Sequence, residues 1–424
     1  MKVVVQKFGG TCVEAANQES TVERILEVKD AGMYPVAVVS AMGREEPPST
    51  PWLVDLAWRI DPKVEPRELD QLMSCGEIIS AVRVAHLLKS RGYDTVALSG
   101  GQAGVITDDY HNHADIIELH PERVLAYLDE KRIVCVAGFQ GITRDHAITT
   151  LGEGGTDYTA VALATVLHTR RPNPIAEEIE VAALRIYKEV EGVMTANPDH
   201  FLEKKTKRAS AQHPINIPGL TFSEMVSMSE LGANVIQAKA ARMARDHGQT
   251  MEICDFRSSQ GTVTYVGEGV QRGHQREVTG VADMKELFVF TVPGGDRRLG
   301  QKLSEHLAHD RLHHYVLPTD DSGYRFAVKT EKYRQVDRIV GETLHYWNIE
   351  AEFSQGDWGL VSVVGEGMRD RTQQIRDRAC EALRAAGIEV AATRRETIAV
   401  SFLVSEAQRR DAVRCLHDHY IIGA

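Results

Sequence analysis

Residues 149–160 read TTLGEGGTDYTA. Glycine recurs at 152, 154 and 155, and the small and apolar residues from Thr159 to Leu167 that follow read as a helix. A glycine backbone approaches an anion closely, and the free N–H groups at a helix N-terminus attract phosphate. Thr156 and Asp157 are residue types that cap such a helix. A cap explains those two positions but not the glycines. A second loop, Lys7-Phe8-Gly9-Gly10-Thr11, closes the apolar run VVV (3–5) and precedes a helical pattern, with Lys7 adding a full positive charge. Either loop alone also reads as a tight strand-to-helix turn. Two in one domain are what phosphoryl transfer needs, because catalysis there is mostly positioning and charge neutralisation.

Around these loops, short apolar strands alternate with amphipathic helices. Strands are expected at 35–43, 94–98, 132–139 and 181–187, and helices at 14–31, 69–90 and 121–130. That alternation predicts a mostly parallel sheet covered on both faces. Polar, proline-containing 168–180 reads as a surface loop, and EKKTKR (203–208) as a solvated face rather than a binding patch. Residues 257–278, rich in Gly, Ser and Gln, read as a linker. Beyond it one layout occurs twice, from ELFVFTVPGG (286–295) and from WGLVSVVGEG (358–367): strand, Gly-rich turn, helix, strand, strand, helix. This is a duplicated βαββα unit.

The 424 residues predict two to four domains. With 60 acidic and 49 basic residues the net charge is −11, which argues against a general binder of nucleic acid or anionic membrane. The six cysteines are scattered without a CxxC, so neither a disulfide framework nor a zinc ribbon is expected. The opening MKVVVQKFGG lacks a basic-then-apolar leader, and no apolar run nears the roughly 20 residues of a membrane span, so a cytoplasmic location is expected. His111-Asn112-His113, His313-His314 and His417-Asp418-His419 lack a third ligand at a recognised spacing, and no metal site is assigned to them.

KFGGTCV (7–13), VVSAMG (38–43), SCGEIIS (74–80), QAGVITDD (102–109), AGFQG (137–141), TTLGEGGTDYTA (149–160) and EVEGVMTANP (189–198) resemble, in order, the motifs of the aspartate kinases. FSEMVSMSELGANV (222–235) resembles the segment that follows in that family, and VSVVGEGMRD (361–370) a strand and turn of its ACT modules. The chain is similar to the monofunctional, two-ACT aspartokinases over nearly its whole length. The resemblance implies an α/β amino-acid-kinase fold over 1–262 and two ferredoxin-like ACT domains, 279–350 and 351–424. One module is expected to be inserted into the other, so that 278–284 joins the second. It implies ATP with Mg2+ and phosphorylation of the aspartate β-carboxylate, the first step toward lysine, threonine and methionine. It also implies feedback by lysine and/or threonine at ACT seams, a homodimer or higher oligomer through the ACT domains, and neither nucleic acid nor membrane as partner.

By the same resemblance, Lys7 would neutralise the phosphoryl group in flight, and Asp157 would orient Lys7 or magnesium. Gly9, Gly10, Gly154 and Gly155 would offer backbone donors to phosphate oxygens. Glu189 would take the place of a ribose-contacting Asp, with Lys188 and Pro198 also on the nucleotide side. Glu77 would accept the substrate ammonium, and Thr11, Ser40 and Thr156 would supply hydroxyls. Glu153 stands where the family has an Arg that clamps the substrate α-carboxylate. Asp115 and Asp199 likewise replace cations, Asn234 replaces a Lys, and Lys188 replaces a Thr; Cys12 and Thr156 are mild replacements of Ser. Two unit charges about 4 Å apart interact by roughly 4 kcal/mol at an intermediate dielectric, so reversing the clamp implies a large loss of aspartate affinity unless another cation takes over. Three readings stay open: an aspartate kinase with compensating contacts, a kinase of a less anionic acceptor, and a catalytically impaired paralogue that senses amino acids.

Overall fold

In the computed structural model, the opening apolar run becomes strand β1 (Lys2–Phe8), buried at every position after its first. The structure describes all residues except 44–46, 170–178, 203–212, 234, 259–260, 271–275, 294–296, 319–322, 331–335 and 424. The middle of the 168–180 loop, the EKKTKR run and Asn234 therefore lie outside the described residues. Contacts divide the chain into two compact units. The first comprises Met1–Val193, Pro218–Phe222 and Val235–Gln271.

After β1 come β2 (Tyr34–Val39), β3 (Thr95–Leu98), β4 (Val105–Thr107), β5 (Ile116–Leu119), β6 (Ile133–Ala137), β7 (Gln140–Ile142), β8 (Ile148–Thr150) and β9 (Glu180–Lys188). The helices among them are α1 (Gln18–Asp30), α2 (Thr50–Trp58), α3 (Pro66–Ser90), α4 (Glu122–Asp129) and α5 (Gly155–Thr169). The main sheet runs Gly219–Leu220, Val263–Val266, Met251–Asp255, β9, β1, β2, β6, β3. From Met251–Asp255 to β3 every neighbouring pair is parallel. Strands without polar alternation need cover on both faces, which is why the helices flank this sheet. Phe8, Val22, Ile25, Val39, Ala85, Leu88, Ile133 and Phe256 share one core cluster. Burying a side chain of the larger kinds among them stabilises by about 1.5–3 kcal/mol. A smaller sheet, ordered β5-β4-β7-β8, lies in the same unit.

The strand order reverses direction at β1, between β2 and β9. In open parallel sheets such a reversal leaves a crevice at the carboxyl ends of the strands, where ligands bind. Gly9 and Gly10, just past β1, and Lys188, the last residue of β9, fall at those ends.

The second unit comprises Met194–Ile217, Ser223–Asn234 and Arg272–Ala424. Its sheet runs His314–Pro318, Gly323–Val328, Gly280–Pro293, Glu352–Val364, Ala399–Ser405, Val390–Arg395, all antiparallel. Gly280–Pro293 is one long strand with a bulge between Met284 and Phe288; its first part pairs with Leu360–Val364 and its second with both Gly323–Val328 and Glu352–Gln355. Helices Arg297–His309, Val336–Tyr346, Thr372–Ala385 and Glu406–His417 complete two βαββα modules that share this sheet. The two units do not follow a single cut near residue 262. Ala196 and Phe201 are buried in the cluster of Val361, Ile375, Leu383 and Phe402, because their apolar side chains find cover there.

Candidate active site

Lys7 lies near the end of β1, and Lys188 ends the adjacent parallel strand β9. Both ammonium groups reach Asp157 in the first turn of α5: Lys7 Nζ is 2.8 Å from Oδ1, and Lys188 Nζ is 3.5 Å from Oδ2. The backbone N–H of Gln237 donates to the same Oδ2 at 3.2 Å. Asp157 and Lys7 are nearly fully buried, at 2% and 5% exposure. Burial opposes the charge on Asp157, but Lys188 and Lys7 overcome it and hold the carboxyl below the usual carboxylate range. Burial likewise opposes the charge on Lys7, and its pairing with Asp157 leaves its pKa raised. Lys188 goes the other way: burial, with Lys7 beside it, lowers its ammonium to about 8 despite Asp157. Two cations thus share one buried anion, and the surplus positive charge suits a phosphate.

The loop before α5 is shaped by its glycines. Gly152 and Gly154 have φ of +79° and +78°, in the left-handed region that favours glycine. A Cβ on Gly138, just past β6, would stand 2.6 Å from Thr156 Cγ2, so glycine there lets the first turn of α5 pack down on the sheet. Ser40, just past β2, donates from Oγ to Thr156 Oγ1 at 2.8 Å. The Lys7–Thr11 loop differs from expectation. Cys12 and Val13 donate back to Gly9 and Gly10, Thr11–Val13 is a single 3-10 turn, and α1 starts only at Gln18. The helix-terminus argument therefore holds for α5 and not for this loop. Gly10 is still required sterically: a Cβ there would meet the carbonyls of Ala41 and Gly43 at 2.9 Å.

Glu77, on α3, is 2% exposed. Its Oε1 accepts the N–H of Ala41 at 2.9 Å, while Oε2 is buried with no hydrogen-bond partner among the described residues. Burial pushes its carboxyl up to about 8. Its Oε2 is open to an added donor, and among the described residues no cation pairs with it.

The departures from the family pattern separate. Asp115 is paired with Lys239 at 2.8 Å, and the same ammonium donates to the carbonyls of His113 and Ala114, so the anion at 115 is answered locally. Glu153 is exposed, and among the described residues no cation pairs with it. Glu189 is half-buried, and its carbonyl accepts from Arg257. Pro198 is exposed in the second unit, opening a turn in which Asn197 Oδ1 accepts the N–H of Asp199 at 3.0 Å. The histidine pairs have ordinary partners: His111 with Asp70, His314 with Ser304, His417 with Thr195.

Sequence reasoning missed Gln237 and Lys239, whose partners lie far away in the chain, and Asp70. Buried Asp70 accepts from the N–H and side chain of Asn112 and from Thr150, and pairs with His111, tying α3 to the loop before β5 and to β8. No local spacing signals such contacts.

A parallel sheet whose strand ends gather two lysines on an aspartate in the first turn of a helix, beside glycine loops, defines a phosphoryl-transfer enzyme of the amino-acid-kinase class. Residues 2–171 match the amino acid kinase family, and residues 361–420 match the ACT domain. The aspartokinase of Geobacillus stearothermophilus is 32% identical over 433 residues, covering 99% of this chain and 97% of that protein. That of Mycolicibacterium smegmatis is 33% identical, covering 100% and 97%. The solved structure of E. coli aspartokinase III in complex with aspartate and ADP (R-state) shares the fold, with a TM-score of 0.78 at 19% identity, over 98% of this chain and 99% of that one. The chain belongs to the aspartokinase family: it is a kinase with an ACT regulatory region. Among the described residues, no helix is long and apolar enough to cross a membrane.

Proposed function

We propose that this chain transfers the γ-phosphoryl group of ATP to the β-carboxylate of aspartate, the step that opens the route to lysine, threonine and methionine. Lysine and/or threonine bound by the ACT modules would feed back on it, in a homodimer or higher oligomer joined through those modules. The convergence of Lys7 and Lys188 on Asp157 carries the reading. A β-carboxylate oxygen forms the bond to γ-phosphorus while the bond from γ-phosphorus to the ADP oxygen breaks. Negative charge shifts onto the oxygens around phosphorus, and Lys7 and Lys188 meet it from a water-poor site where such charges act strongly. Asp157 positions both ammonium groups. Gly9, Gly10, Gly154 and Gly155 let the backbone close on the phosphates, and Lys188 and Glu189 serve the nucleotide. Ser40, Thr11 and Thr156 supply hydroxyls to aspartate, whose ammonium would fill the vacant valence of Glu77 Oε2. Both Asp157 oxygens face a lysine, so Mg2+ fits here as the ion carried by the nucleotide phosphates, adding positive charge to the transferred group.

Glu153 is the point at which the family pattern and this site disagree. Replacing it with Arg would exchange repulsion for a charge-assisted contact to the substrate α-carboxylate. Steady-state kinetics of the wild type and Glu153→Arg against aspartate test this, with kcat/KM expected to rise about tenfold or more in the variant. A fall would mean that another cation has taken over the clamp. No turnover of any amino acid by either protein, with lysine or threonine still bound, would make the chain a sensor.

A further inference from the structure

Lys7 and Lys188 reach Asp157 from strands; the third group on that carboxylate comes from elsewhere. Gln237 stands at the N-cap of helix Ala238–His247, yet its side chain makes no capping bond there. Its contacts go instead to the glycine loop before α5. The backbone N–H donates to Asp157 Oδ2 at 3.2 Å, where the loop has become helix. Side-chain Nε2 donates to the Leu151 carbonyl at 3.1 Å, where the loop begins. Between these, the side-chain stem lies against Gly154: a Cβ on that glycine would stand 3.1 Å from Gln237 Cβ and 3.5 Å from Cγ. One residue thus touches the loop at its start, its middle and its end. Leu151 is a firm anchor, fully buried, with its own N–H donating to the Phe139 carbonyl at 2.9 Å.

The amide admits one orientation. Turned over, it would set Oε1 against the Leu151 carbonyl, acceptor to acceptor. In the orientation found, Oε1 is buried without a hydrogen-bond partner among the described residues. A bare buried acceptor opposes folding, and an unbranched apolar side chain would fill the same space without that penalty. Stability alone therefore does not account for a glutamine here; the Nε2 donor does. Glycines at 152, 154 and 155 let the backbone close on phosphate but leave it easy to deform. An error of about 1 Å at a reacting centre costs about a hundredfold in rate. Resting on the catalytic reading of Lys7 and Lys188, we propose that Gln237 is a positioning residue for phosphoryl transfer. By joining Leu151 to Asp157 it sets the span of the glycine loop, and with it the carboxylate on which the two lysines converge.

The test uses the full chain. Gln237→Met keeps the length of the side chain, its contact with Gly154 and the backbone N–H, and removes the donor to Leu151. Within the loop the N–H groups of Gly155 and Asp157 are hydrogen-bonded to the carbonyls of Gly152 and Gly154, at 2.9 Å each, and so report on its shape. Hydrogen exchange read by mass spectrometry should be several-fold faster in the peptide spanning 151–157 of the variant, with the strands of the main sheet unchanged. In steady-state kinetics kcat should fall about tenfold or more while KM for ATP moves less than about threefold, since the loss belongs to the transition state. Added to Lys188→Met, the same change should cost much less than it does in the wild type, because residues serving one arrangement are not additive. Unchanged exchange at 151–157, an unchanged kcat, or losses that multiply in the double variant would each overturn the positioning role. A wild type that turns over no faster than Lys7→Ala sinks the catalytic reading itself, and the exchange measurement then separately decides whether Gln237 holds the loop.

Discussion

At Asp157 three donors meet one carboxylate, and the sequence showed why only in part. Lys7 and Asp157 were legible from their glycine-rich loops. The pairing of Asp115 with Lys239 was not, because it joins residues far apart in the chain, and a charge reversal read from sequence alone looks unanswered until the partner is seen. Glu77 shows the same limit from the other side: its place in SCGEIIS suggested a role, but only burial reveals its strain. That strain has a sign. The folded carboxyl titrates at about 8, above the ordinary 4.5. Below pH 4.5 the group is protonated both folded and unfolded, and its contribution is intact. As pH rises toward 8 the unfolded chain gives up the proton first, so stability declines across that window and stays low above it. Glu77→Gln should therefore leave the ligand-free protein unchanged below pH 4.5 and stabilise it by about 2–5 kcal/mol at pH 9. It should also raise KM for aspartate by removing the ammonium acceptor. Thermal unfolding of both proteins across this pH range decides; equal midpoints at pH 9 would remove the buried-charge account.

Elements were easier to foresee than their ends. Apolar runs announced β1, β2, β6 and β9, and helical periodicity announced α1, α3 and α4. The start of α1 was misplaced because Thr11–Val13 turns tightly, with Thr21 Oγ1 reaching back to the carbonyl of Cys12 at 2.6 Å. The seating of α5 on the sheet was also invisible, since it depends on a missing Cβ in a different element. That seating makes a prediction. Gly138→Ala drives a methyl into Thr156 Cγ2, and the nearest escape moves the turn that holds Asp157. Overpacking of this kind costs about 1–3 kcal/mol. We expect kcat to fall by about tenfold or more, since small misplacements at a reacting centre are expensive. Adding Thr156→Ser removes Cγ2 while keeping the hydroxyl that Ser40 reaches. The double variant should recover most of the activity, and a double variant as poor as the single would place the cause elsewhere.

For the whole molecule, the duplicated βαββα layout was legible from its repeated strand and glycine pattern, but the course of the chain between units was not. Segments that precede residue 262 pack with the C-terminal region. Val281 donates to the Thr195 carbonyl at 2.7 Å, and Thr195 Oγ1 meets His417 Nε2 at 2.9 Å. His200 lies 3.0 Å from both oxygens of Asp283, which Arg409 also contacts, while Arg410 and Arg414 donate to the His200 carbonyl at 2.8 and 2.6 Å. Phe201 is 2% exposed within that unit's core. A fragment ending at residue 262 would keep Thr195, His200 and Phe201 but lose every one of these partners. Exposing side chains of this size costs about 1.5–3 kcal/mol each, before the unpaired histidine and carbonyls are counted. The fragment should unfold at least about 10 °C below the full chain, bind a hydrophobic dye, and show no thermal response to lysine or threonine. Unfolding at the midpoint of the full chain would mean that residues 194–217 and 223–234 are stable without the ACT region.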